Sequence, residues 1–338
     1  LIGNINAGGG GVNRNVIING AMNVAQRSTS ETGLGSSDPG YQTLDRFRMN
    51  IGGTSAGRFT MAQDSSAPEG FANSLKLSCT TADTSIAADE LLSLQQRIEG
   101  QNLQMFAKGT TSAKPYAVSF YVKGNASATY TCELEDGDNS RRVAKEFSVT
   151  TDWARVELSF PKDTTGAFDD DNALSLSLNL FLHGGSNFTS GTFSANTWES
   201  ISNTTRLSDS QTSFFDSTDR TFFITGVQLE VGQNPTSFEH EPFERTLAKC
   251  QRYFMTVART RGSGNRDALY NNCAFSAVLP VEMRTGPSCT KIEVGTAYNW
   301  SNFQFVNVNK LHVGGLVTID SADGYWYFND GFEAEAEL

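Results

Sequence analysis

Along most of the chain apolar and polar residues alternate at a period of two, the pattern of a strand with one face buried. The clearest run is Ala173–Leu182, where Leu174, Leu176, Leu178, Leu180 and Leu182 share one face against Ser175, Ser177, Asn179 and Phe181. Val118, Phe120 and Val122 alternate in the same way with Ser119, Tyr121 and Lys123. Segments of strand character recur at Arg58–Gln63, Ser74–Thr80, Leu92–Glu99, Tyr116–Lys123, Ala128–Leu134, Ala144–Thr150, Ala154–Phe160, Leu174–Leu182 and Thr221–Val231. Nine strands separated by Gly, Asp, Asn and Pro turns predict an all-β, antiparallel two-sheet β-sandwich. In the last of them the alternation places Phe222, Ile224 and Gly226 on one face and Phe223, Thr225 and Val227 on the other. Weaker strand signals lie at 15–21, 24–27 and 43–49, and Gln101–Ala107 has the spacing of a helical turn.

The same pattern divides the chain. Gly232, Asn234 and Pro235 end the ninth strand, because Gly permits positive φ, Pro removes a donor and Asn tolerates a turn. Phe243–Phe254 then predicts a short helical linker, after which Phe254–Ala258, Leu269–Leu279, Cys289–Val294, Phe303–Asn307, Leu311–Ile319 and Gly324–Phe328 predict a second β unit. Residues 1–20, with four consecutive glycines, read as a flexible connector, 21–245 as the sandwich and 246–338 as a smaller C-terminal β domain. The polar stretch 183–220 reads as a long insertion, a length that points to function or mobility. In the tail, Glu333, Glu335 and Glu337 alternate with Ala334, Ala336 and Leu338, the pattern of a solvated strand edge.

Charge narrows the partners. A net charge of −11, from 26 basic and 37 acidic residues, repels phosphate and anionic lipid at long range, so nucleic acid is not expected. No apolar run reaches the ~20 residues of a membrane span, and the first residues lack the charged start and apolar middle of a signal peptide. Five scattered cysteines make neither a disulfide framework nor a zinc knuckle.

Candidate chemistry is sparse. Gly53-Thr54-Ser55-Ala56-Gly57 matches G-x-S-x-G, but a nucleophile elbow joins a strand to a helix and here a strand follows. His183, His240 and His312 form no metal-ligand pair, and Asp169–Asn172 and Glu135–Asn139 read as acidic turns, of which Asp136 and Asp138 could reach one calcium although the full twelve-residue loop is missing. The expectation is therefore no enzyme, no cofactor and no metal. Sugar binding needs flat aromatic faces beside amides and carboxylates, which nominates Phe193 and Trp198 in the insertion and Tyr298, Trp300 and Trp326 in the second unit. Burial in the core or between subunits is the competing reading of these rings.

Several phrases occur together: NVIINGAMNVAQR at 15–27, GYQTLDRFRM at 40–49, QQRIEGQNLQ at 95–104, KPYAVSFYVKG at 114–124, FFITGVQLEVG at 222–232, LAKCQRYF at 247–254 and the tail GYWYFNDGFEAEAEL. With them the chain resembles phage tail-fibre and related virion structural proteins whose body is similar to a carbohydrate-binding-module jelly roll. The resemblance implies a protein of the virion surface, assembled in the bacterial host cytoplasm, commonly a homotrimer, joined to other virion proteins through its N-terminal side and contributing to host attachment through a surface glycan. A capsid or tail decoration protein without its own receptor and a glycan-degrading depolymerase are the alternatives. Jelly-roll modules of this kind often hold a structural calcium through an Asp where this chain has Thr225 or Gly226.

Overall fold

The computed structural model describes residues 13–265, 272–293, 300–319 and 325–338. Two compact units divide the chain, one ending at Phe243 and the other comprising Glu244–Glu337.

The first unit is an antiparallel sandwich of two large sheets. One has six strands in the order β1 (Ser30–Leu34), β4 (Arg58–Asp64), β5 (Ser74–Thr81), β13 (Thr221–Val231), β7 (Tyr116–Gly124) and β10 (Ala154–Phe160). The other has seven, in the order β12 (Glu199–Ser200), β9 (Arg141–Val149), β8 (Ala128–Asp136), β11 (Leu174–Gly184), β6 (Leu91–Glu99), β3 (Arg48–Gly52) and β2 (Gly40–Tyr41). The chain crosses repeatedly between the sheets, so each sheet gathers strands that are far apart in sequence. All nine predicted strands form. The additional ones, β1, β2, β3 and β12, are short and lie in Ser/Gly/Asp-rich sequence or at its edge, where two to five residues give too few periods to read.

Alternation builds the core as expected. Phe59, Met61, Leu75, Leu77, Val118, Phe120 and Val122 face inward from the six-stranded sheet and meet Leu92, Leu94, Tyr130, Leu134, Leu176, Leu178 and Leu180 from the other. Each such side chain contributes about 1.5–3 kcal/mol on burial. The helical turn is present as two 3-10 turns, Gly100–Asn102 and Gln104–Phe106.

Three expectations need correction. First, the pairing of β13 with β7 shifts register between Thr225 and Gln228, and Gly226 lies there at φ +63°. This bulge inserts one residue, so Val227 and Leu229 turn inward behind Phe222 and Ile224, while Gln228 and Glu230 join the side of Phe223 and Thr225. Val227 is therefore core. Second, residues 13–20 are no loose connector. Val16 donates to the Leu229 carbonyl and Val227 to that of Gly20, both at 3.0 Å, continuing the edge that β5 leaves when its pairing with β13 stops at Ile224. Ile17 enters the core, and the Glu239 carboxylate accepts from the backbone N–H groups of Asn13, Arg14 and Asn15 at 2.6, 2.7 and 2.9 Å. The glycine-rich part, 1–12, lies outside the described residues. Third, the insertion 183–220 is packed: a short helix α1 (Ser186–Thr189), β12 and a 3-10 turn bring Leu207, Phe214 and Phe215 into apolar contact.

The second unit begins with the helix α2 (Phe243–Gln251), which buries Thr246 and Cys250, four residues apart on one face. Two three-stranded antiparallel sheets follow, β14 (Phe254–Asn265)–β19 (Tyr325–Glu335)–β16 (Ser288–Ile292) and β15 (Asn272–Val278)–β18 (His312–Ile319)–β17 (Trp300–Asn309). Its core gathers Met255, Leu279, Met283, Val313, Phe332, Ala334 and Ala336. The tail is thus a central strand, paired on both sides by β14 and β16, and not a solvated edge.

Candidate functional site

The two outward faces of the sandwich carry different chemistry. On the seven-stranded sheet, register aligns Arg48 with Gln95, Gln95 with Asn179 and Asn179 with Glu133. These side chains form one hydrogen-bonded row. Arg48 Nη1 donates to Gln95 Oε1 at 3.2 Å, Gln95 Nε2 to Asn179 Oδ1 at 2.7 Å, and Asn179 Nδ2 to Glu133 and Glu135, both at 3.0 Å. Arg206 from the insertion closes the row, bonding Glu133 at 2.6 Å and Glu135 as well. Burial pushes the Glu135 carboxyl upward, with the Arg206 charge pulling it back.

The insertion roofs this part of the face. Leu207 packs on Leu91 and Phe181, Thr131 donates to Gln211 at 2.9 Å, and Arg142 holds Glu199 at 2.6 Å. The row's amides and carboxylates are spent on one another beneath that roof.

The outer face of the six-stranded sheet is built from rings and cations. Register places Phe223 of β13 between Lys76 of β5 and Lys123 of β7, and Trp153 immediately precedes β10 on the far side of Lys123. Lys76 Nζ lies 5.2 Å from the Phe223 ring centre, and Lys123 Nζ lies 4.9 Å from Phe223 and 5.3 Å from Trp153. Cation and ring therefore alternate across the sheet. Along the next row Thr225 pairs with Tyr121 and Tyr121 with Arg155. Phe71 lies 5.4 Å from Tyr121 and meets Phe238 and His240 at 5.0 and 5.1 Å between ring centres.

Gly226 makes this cluster possible. A Cβ there would stand 2.7 Å from Phe71 and 2.9 Å from Tyr121, and its positive φ disfavours any side chain. Phe71, Tyr121, Trp153, Phe238 and Lys123 are half-buried, which leaves part of each at the surface. Lys123 donates to Ser66 Oγ at 2.8 Å and, among the described residues, makes no ion pair.

Of the aromatic residues nominated from sequence, Phe193, Trp198 and Trp300 have described side chains. Trp198 donates from Nε1 to the Pro161 carbonyl at 2.7 Å, and its ring packs on Tyr116 and the Lys108 ammonium at 5.6 and 5.7 Å. Its polar edge and one face are committed. Phe193 is half-buried with the Arg142 guanidinium 5.9 Å away. Trp300 packs with Phe275 and Phe303 on Val317 and Ile319, and Lys291 lies 4.9 Å over its ring. Tyr298 and the side chain of Trp326 lie outside the described residues.

Lys76, Tyr121, Lys123 and Phe223 were missed because each sits at an outward position of an alternating strand, which by itself means solvent, and Phe71, Trp153 and Phe238 lie in connecting segments outside the strands. Only the pairing of strands distant in sequence brings them together.

The titratable motifs serve the fold. Ser55 of G-x-S-x-G is buried and donates to Asp83 at 2.8 Å, with strand β4 following. His183 bridges Ser213 Oγ at 2.8 Å and Glu90 at 3.0 Å, a Ser–His–Glu sequence by residue type. Its side chain is 1% exposed and that of Glu90 3%, and the contact fastens the insertion to β11. Burial holds the imidazole pKa below its ordinary value and so favours the neutral ring, against the pull of Glu90. His312 bonds Ser276, and His240 belongs to the ring cluster.

The acidic turn at Asp136 is filled from within. Lys108 Nζ lies 2.6 Å from Asp136, 3.3 Å from Asp163, and 2.7 and 2.8 Å from the Thr165 and Gly166 carbonyls. A fully buried ammonium thus occupies an oxygen cage of the kind a hard cation would take. At Thr225 and Gly226 a calcium does not fit, since neither offers a carboxylate, and no group of three or more His, Cys, Asp or Glu among the described residues is placed to hold a metal.

No protein-family model matches the chain, and no curated protein matches it. Among solved structures it is similar to the family 11 carbohydrate-binding module of Clostridium thermocellum in complex with a β-1,3-1,4-mixed-linked tetrasaccharide, at 12% identity over 63% of this chain and 99% of that one, TM-score 0.31. A family 30 carbohydrate-binding module matches at 12% identity over 69% of this chain and 94% of that one, TM-score 0.32. The enzymatically active domain of tailspike protein 4 from bacteriophage CBA120 matches at 12% identity over 65% of this chain but 22% of that one, TM-score 0.32. Overlaps of this size carry nothing about ligand or activity. Among the described residues no helix is long and apolar enough to cross a membrane.

Proposed function

We propose that this is a non-enzymatic protein of the virion surface, a tail-fibre component assembled as a homotrimer, that contributes to host attachment by binding a surface glycan. The binding site is the outer face of the six-stranded sheet. The observation that carries the assignment is the strip of half-buried rings, Trp153, Tyr121 and Phe71, interleaved with the donors Lys123, Lys76 and Arg155. Pyranose rings present an apolar face that stacks on aromatic carbons and a polar rim that takes charged donors. The virion assignment rests on the resemblance to tail-fibre proteins of the phrases that run from 15–27 to the tail.

A panel of bacterial surface polysaccharides, with immobilised protein and Trp153→Ala as control, tests the reading. Expected are saturable binding to at least one polymer, its loss in the variant and no release of reducing ends on long incubation. Silence across the panel sinks glycan binding, and shortened polymer sinks the non-enzymatic assignment. Immunogold labelling of particles separates tail from capsid, and light scattering that returns one copy in solution removes the trimer.

A further inference from the structure

We infer that the glycan carries a carboxylate on the sugar that stacks over Trp153, and that Lys123 is the residue that reads it. This rests on the glycan reading above and names the class of sugar. An ammonium has three N–H donors, and Ser66 Oγ takes one of those of Lys123. Two remain for the two oxygens of a carboxylate.

The neighbouring charges are already occupied. Lys76 pairs with Asp64 at 3.4 Å, and Arg155 bonds Glu157, Ser119 Oγ and the Thr236 carbonyl. Lys123 has no carboxylate partner among the described residues, and the rings of Phe223 and Trp153 flank it. The half-buried ammonium can turn toward a carboxylate that arrives with the sugar plane on Trp153.

The whole-molecule charge of −11 selects against densely charged polymers, including nucleic acid with a phosphate at every residue. A glycan with one charge on the contacted ring needs a short-range partner only. A single free ammonium matches that requirement.

A glycan array bearing carboxylated, sulfated and neutral sugars, probed with the full chain, Lys123→Met, Lys123→Arg and Trp153→Ala, tests the inference. Polydeoxythymidylate serves as competitor. Expected is binding to carboxylated glycans, weakened about 10- to 100-fold by Lys123→Met, largely kept by Lys123→Arg, and reduced in about 1 M salt, where the Debye length is about 3 Å. Carboxyl-reduced forms of the bound glycans remove the charge without touching the protein and should lose binding equally. Equal binding of reduced and native glycans, lost in Trp153→Ala, overturns the carboxylate while leaving glycan recognition standing. Preference for sulfated over carboxylated members also overturns it. Silence across the array, or displacement by polydeoxythymidylate, overturns both readings.

Discussion

The two outer faces of the sandwich are both polar enough to suggest a ligand, and they differ in how far their polar groups are spent on one another. Across the seven-stranded sheet the row Arg48, Gln95, Asn179, Glu133 is bonded within itself and closed by Arg206. Across the six-stranded sheet, Lys76, Phe223, Lys123 and Trp153 alternate in an equally regular row, yet Lys123 keeps donors to spare. Regularity of polar side chains therefore does not mark a binding face. Unspent hydrogen-bonding capacity beside half-buried rings does. The same substitution chemistry should accordingly have opposite consequences on the two faces, a loss of stability on one and a loss of binding on the other.

The largest effect is expected from Arg206→Met. Glu133 is fully buried, and without Arg206 its remaining cation is Arg142 at 3.8 Å. Removing one partner of a buried ion pair costs about 3–5 kcal/mol, because the other charge stays desolvated. Urea unfolding of the variant should show a loss of this size with glycan binding unchanged where the protein remains folded. A loss below ~1 kcal/mol would mean that the row does not carry the stability assigned to it.

Gly226→Ala comes next and strikes the other face. It adds a Cβ at positive φ, 2.7 Å from Phe71 and 2.9 Å from Tyr121. Backbone strain of this type costs on the order of 1–3 kcal/mol, and Phe71 must leave its seat. Both stability and glycan affinity should fall, in contrast to Arg206→Met. Retained affinity would exclude the Phe71 cluster from the site.

A smaller effect links the six-stranded face to acid. Burial opposes ionisation of Glu239, but the backbone N–H groups of Asn15, Asn13 and Arg14 outweigh it and hold the carboxyl below its ordinary range. A depressed carboxyl contributes stability that is complete above the free-Glu value of about 4.3 and is lost as pH falls through the lower folded value. Amide exchange at Val16 and Ile17 should accelerate over that window. In Glu239→Gln it should already be fast at neutral pH, with no further acid step of its own.

Much of the sandwich was legible because a period of two survives in single strands: the leucines of β11 and Val118, Phe120 and Val122 of β7 are core as the pattern demands. The bulge at Gly226 was not, since one inserted residue reverses the phase, and only the glycine hints at it. In the insertion, Leu207 and Phe214-Phe215 were apolar signals within a polar stretch, and they are the residues that seat it. The candidate site was the least legible part. Lys76, Lys123, Trp153 and Phe223 are spread over some 150 residues and become neighbours through strand pairing alone, and Trp198, conspicuous in sequence, is drawn inward by Lys108 and Pro161.

The smallest stability change is expected where a large binding change is expected. Lys123→Met keeps an unbranched stem of similar length over Phe223 and Trp153, so the apolar cover of the rings survives. What is lost is one hydrogen bond to Ser66 Oγ and two ring contacts of a half-buried ammonium, each worth about 0.5–1 kcal/mol, and the Met thioether regains about 0.3–1.5 kcal/mol against each ring. No carboxylate among the described residues is left unpaired, which is the term that makes Arg206→Met costly. Unfolding free energy should therefore change by less than about 1 kcal/mol, and the new apolar surface offsets part of even that. A destabilisation approaching that of Arg206→Met would show that Lys123 belongs to the architecture of its sheet, and the contrast between the two faces would disappear.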